Sequence, residues 1–226
     1  MLNKLLEYIK NKELGSNIER NCTEVPFTNL ELYGIALFNN LDPLYSLYAL
    51  ANDSKWALIG LIFRDTMQPE FNSLGDYNKK SWYILESNIH PDFWGVQIHS
   101  WSRMLYLVGG SEALISIRKF IYKKSKPNSA QLKNVMVKYL GCRFEKNIIV
   151  GTLAIFHENI IEGNGTYFCS EVAAAILKDL GILDGNILYD NYVPADFSTE
   201  RANGILKLTP DYNLSNEIKI QSNIIN

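Results

Sequence analysis

Tyr167-Phe168-Cys169-Ser170-Glu171 leads directly into an alanine-rich stretch, Val172 to Leu180, that stops at Gly181. This pattern predicts a helix that begins at the cysteine and closes on a glycine, the residue suited to the left-handed turn that ends helices. A cysteine at a helix start meets the positive end of the helix dipole and unpaired backbone N–H groups, and both favour thiolate over thiol. Cys169 is therefore the candidate nucleophile. The other reading is a buried helix cysteine, because a free cysteine packs as a small apolar side chain.

Upstream, Gly34 to Phe38 is a compact apolar strand, and Trp56 to Phe63 is apolar on both faces, as central strands are. Trp82 to Ser87, Gly95 to His99 and Leu114 to Phe120 read as further strands. Leu2 to Ile9 has the spacing of a short amphipathic helix, and Leu44 to Ala51 follows Asp42-Pro43 as cap and first-turn proline. Ser129 to Leu140 has helical periodicity and ends at Gly141, while Thr66 to Lys80 reads as a loop and Gly204 to Leu208 as a last strand. This order predicts an α+β fold, a mostly antiparallel sheet packed against helices. The expected organisation is a helical lead-in over 1–28, one domain over 29–200 and a strand with tail over 201–226.

A chain of 226 residues, 47% hydrophobic, can bury one substantial core. Its 22 basic and 24 acidic residues give a net charge of −2 without a long run of either sign, which argues against nucleic acid as a partner. Three cysteines, Cys22, Cys142 and Cys169, are too few and too widely spaced for a disulfide framework or a zinc site. The reading therefore calls for no metal and no cofactor, and it points to a reducing, cytoplasmic compartment. Lys4, Glu7 and Lys10 interrupt the apolar residues of the start, unlike a signal peptide. The longest apolar run, Trp56 to Phe63, is of strand length, so no transmembrane segment is expected.

In their order, these pieces resemble the circularly permuted branch of the NlpC/P60 papain-like superfamily. That branch includes YiiX-like bacterial proteins and a poxvirus protein family, with lecithin-retinol acyltransferases as more distant relatives. The resemblance rests on Gly34 to Phe38, Ser54 to Arg64, Trp82 to Ser87 and Gly95 to Leu105, then Leu140 to Glu145, the cysteine helix and Val193 to Ser198 with its Pro-x-Asp-Phe pattern. It covers most of Gly34 to Ser198. It implies a papain-like fold in which a histidine deprotonates the thiol and a polar residue orients that histidine. Carried over by position, Cys169 is the nucleophile and Glu86 the orienting residue. The alternative for Glu86 is a solvent-facing strand end.

The family's histidine, in its Trp-Ser-His-Val-Gly strand, falls on Leu58 of Trp56-Ala57-Leu58-Ile59-Gly60. A leucine cannot accept a proton. Of the three histidines, His99 is the best substitute base, on a strand expected near the active end of the sheet. A packed structural histidine is its plain alternative. His90 precedes Pro91 and reads as a loop residue, and His157 lies in an uninformative stretch.

Two functions follow. The first is a degenerate papain-like hydrolase fold that acts as a binding or structural module. The second is an active thiol hydrolase or acyltransferase, forming an acyl-thioester at Cys169 with lipid or amide acyl substrates. The expected partners are a lipid or acyl-amide ligand in the cleft, or a protein. Virion or host-cell association is compatible with the first reading.

Overall fold

The computed structural model describes residues 29–39, 49–50, 54–67, 82–89, 94–108, 113–145, 156, 159, 165–201 and 204–220. The expected helix at Leu2 to Ile9, most of the one at Leu44 to Ala51, His90 and His157 lie outside them. Among the described residues nine strands make a mixed α+β fold: β1 (Leu30–Asn39), β2 (Leu58–Asp65), β3 (Trp82–Ile89), β4 (Trp94–Ser100), β5 (Leu114–Tyr122), β6 (Arg143–Phe144), β7 (Thr166–Tyr167), β8 (Tyr212–Leu214) and β9 (Ile218–Ile220). The sheet order is β7-β6-β4-β3-β2-β1-β5-β8, and β9 also pairs with β5. Every pairing is antiparallel except β6 with β7. Three helices are described: α1 (Trp101–Leu107), α2 (Ser129–Tyr139) and α3 (Cys169–Asp179).

The central place of β2 explains its unbroken apolar run, since Leu58 to Phe63 are buried on both faces. α2 begins in a reciprocal cap: the Asn128 side chain accepts from Gln131 N and the Gln131 side chain accepts from Asn128 N, each at 2.9 Å. Leu132, Met136 and Tyr139 form its buried stripe at helical spacing. Gly141 and Gly181, with φ of 80° and 70°, take the left-handed turns expected after α2 and α3. In α3 the residues Cys169 to Leu177 are all buried, and its small alanines let the helix lie close against β2 and β3.

One expectation needs correction. Gly204 to Leu208 is not a strand: only Leu208 bridges to Leu183, and strand pairing with β5 falls to Tyr212–Leu214 and Ile218–Ile220. The backbone of 204–208 is used instead in the turn after α3, where Asp184 N donates to Lys207 O. β4 covers the strand expected over Gly95 to His99, and Ser100 then accepts from Arg103 N and starts α1.

The Val193 to Ser198 element is latched onto the sheet. Trp56 Nε1 donates to Ser198 Oγ at 3.1 Å, and Arg118 donates to Phe197 O at 2.7 Å. Asp196 accepts from Val193 N at 2.8 Å and pairs with Arg201. This latch fixes the start of β2, where the candidate site lies.

Candidate thiol site

Cys169 is the first residue of α3, and three contacts deliver it there. The Ser87 hydroxyl of β3 donates to Tyr167 O at 2.6 Å in a buried bond. Phe168 N donates to the Glu171 carboxylate at 2.7 Å, and Val172 N donates to Phe168 O as the first turn closes. The β2–β3 ladder ends at Leu61 opposite Leu85. Beyond that point the strands no longer pair. The Ile59 N–H is then turned to the sulfur of Cys169, with the Ser170 N–H as a second donor.

These donors favour the thiolate, yet they lose to burial. Cys169 is 4% exposed. Desolvation, with the nearby charges of Glu86 and Glu171 added, pushes the thiol up to about 12. The expectation that the helix start would favour the thiolate is thus overturned, because a charge sealed from water costs more than a helix terminus returns. At neutral pH the thiolate fraction is on the order of 10⁻⁵.

Glu86 and His99 are brought together. In the β3–β4 register Ile84 stands opposite His99 and Glu86 opposite Gln97, so the two residues are diagonal neighbours on one face. His99 Nε2 lies 3.5 Å from Glu86 Oε1, with both residues buried. The solvent-facing reading of Glu86 is therefore wrong: it is fully buried. Among the described residues His99 is the sole histidine.

Leu58 shares that face. Ile62 pairs with Ile84, and strand alternation then turns Leu58, Gly60, Glu86 and His99 to the same side. Leu58 is 2% exposed and belongs to the apolar core. The peptide N–H that meets the Cys169 sulfur is the one joining Leu58 to Ile59. An apolar side chain thus joins Glu86 and His99 on this face, next to the peptide that meets the sulfur.

A second buried acidic group was not legible from the residues alone. Glu171, Glu145 and Asp190 are all buried, and the latter two add to the desolvation that holds the Glu171 carboxyl well above the usual carboxylate range. Glu171 Oε1 has no hydrogen-bond partner among the described residues. Its place in the first turn of α3 was the one available signal, and that place alone suggests an ionised cap. Cys142, in the turn after α2, is half-buried, and its thiol donates to Lys138 O at 3.8 Å. No protein-family model and no curated protein matches the chain.

Proposed function

We propose that this chain is a circularly permuted papain-like domain with a degenerate catalytic site, acting as a binding module for an acyl-bearing ligand, a lipid or an amide. One observation carries the reading: Cys169 is buried at the start of α3, burial pushes its thiol up to about 12, and the apolar Leu58 stands at the position where the resemblance expects a histidine. Losing a general base typically costs about 10²–10⁴-fold in rate. Holding the thiol protonated removes a further factor in nucleophile concentration.

The Glu86–His99 pair favours a second reading, an active thiol hydrolase. In that reading His99 would take the thiol proton while Glu86 oriented its ring. Cys169 would attack the acyl carbonyl and expel an alcohol or amine that leaves with the proton, and water would then release the acyl group. Against it stands the negative charge of Glu86, which raises the thiol pKa.

Intact-mass spectrometry of the full chain after exposure to an activated acyl thioester separates the two. The binding-module reading predicts no acyl adduct beyond that of Cys169→Ala. An adduct on Cys169 that disappears in His99→Ala would establish the hydrolase instead.

A further inference from the structure

One end of the sheet carries a rim of cations laid over aromatic rings. Glu31, Arg64 and Trp82 stand in one cross-strand row through β1, β2 and β3. Tyr33, beside the β1 irregularity, meets Trp82 edge-on at 4.7 Å between ring centroids. Lys119 lies 5.3 Å and Arg64 6.0 Å from the Tyr33 ring. Lys126 is 5.4 Å from the Tyr122 ring, which in turn packs on Tyr212 at 5.8 Å. Lys123 and Lys124 continue the rim, reaching Pro210 O and Asp211.

Among the described residues, the charge on this rim is opposite in sign to that of the whole chain. Five described cations, Arg64, Lys119, Lys123, Lys124 and Lys126, stand with three described carboxylates, Glu31, Asp65 and Asp211, in a protein of net charge −2. Glu31 is shared by Arg64 and Lys126, and their hydrogen bonds outweigh its burial and hold it below the usual carboxylate range. Lys119 and Lys123 have no ion pair among the described residues. The lysine side chains of Lys124 and Lys126 are 74% and 51% exposed, so the cationic ends reach water while the rings beneath stay half-buried.

We infer that this cation-and-aromatic rim docks the protein on an anionic lipid surface. Tyrosine and tryptophan with lysine and arginine ends are the side chains that sit stably at headgroup depth, with an apolar body and a wet, cationic tip. Single-stranded nucleic acid fits less well, because it needs open ring faces for base stacking. Here Lys119 and Arg64 already lie over Tyr33, and Lys126 lies over Tyr122. The inference does not depend on the thiol site, and a bilayer would also be a source of acyl ligands for it.

The test is co-sedimentation of the full chain with phosphatidylcholine vesicles, with and without phosphatidylserine, at low and high salt. Binding is expected only with phosphatidylserine and is lost as salt rises. Lys119→Gln and Lys123→Gln should each weaken partitioning about fivefold. Lys207→Gln, which removes the same charge from an exposed position outside the rim, should change it by less than about twofold. None of these side chains is buried, and a thermal melt of each variant checks that it folds. The inference is overturned by equal binding to both vesicles, by equal losses in all three variants, or by single-stranded RNA binding that depends on the same lysines and outcompetes the vesicles.

Discussion

Replacing Glu171 by glutamine should make the protein more stable as pH rises, the opposite of what its position in a helix first turn suggests. An exposed carboxylate there gains about 0.3–1 kcal/mol from the helix dipole, so its loss would destabilise at neutral pH. In this fold the carboxyl is buried, its Oε1 is without a partner among the described residues, and Asp190 and Glu145 stand near. Burial first, then those charges, raise its folded pKa well above the value of an exposed carboxyl. The folded protein therefore keeps this proton to higher pH than the unfolded chain. The stability due to the group is full below about pH 4.3, where both states are protonated, and falls by about 1.4 kcal/mol per pH unit until the folded pKa is reached. Glutamine cannot ionise, and its carbonyl can still accept from Phe168 N. The buried amide adds an offset of about 1 kcal/mol that does not vary with pH. Urea unfolding of both proteins, followed by circular dichroism from about pH 5 to about pH 8, reads the difference. The variant should gain on the wild type by about 1.4 kcal/mol per unit over part of that range. Parallel curves, or a variant that loses ground as pH rises, would refute the reasoning.

Three other outcomes are expected. Leu58→His should cost about 2–3 kcal/mol in a denaturant melt, since it puts a polar ring in the core, and should speed Cys169 alkylation about tenfold or more at neutral pH. An unchanged rate in a folded variant would mean that position 58 no longer serves the thiol. Glu86→Gln removes a charge that disfavours the thiolate, so the Cys169 alkylation rate should rise severalfold, whereas in a working triad it would fall. Trp56→Phe removes the buried bond to Ser198 and should lower stability by about 1–3 kcal/mol, and a smaller loss would show that the latch contributes little.

Local periodicity made much of the fold legible. The apolar run from Trp56 marks β2 because a central strand is buried on both faces, and the two glycine stops mark the ends of α2 and α3 because only a left-handed residue closes those turns. α1 escaped because its cap, Ser100, is also the last residue of β4, so the helix follows the strand with no break between them. β8 and β9 escaped because three-residue strands lack the length to show alternation. In the candidate site, the sequence marked Cys169, Glu86 and His99 as residue types, and the β3–β4 register then set Glu86 against His99. What could not be read was the degree of burial around the thiol. The helix dipole is a local effect, whereas desolvation comes from β2 and β3, distant in sequence.

The pH dependence of alkylation at Cys169, read by mass spectrometry on the folded protein with Cys142 as internal reference, tests the central claim most directly. The account predicts a slow reaction whose rate still climbs past about pH 10, as a protonated, buried thiol requires. A fast reaction that levels off below about pH 7, where activated thiolates sit, would contradict it and show that His99 has taken over as the base.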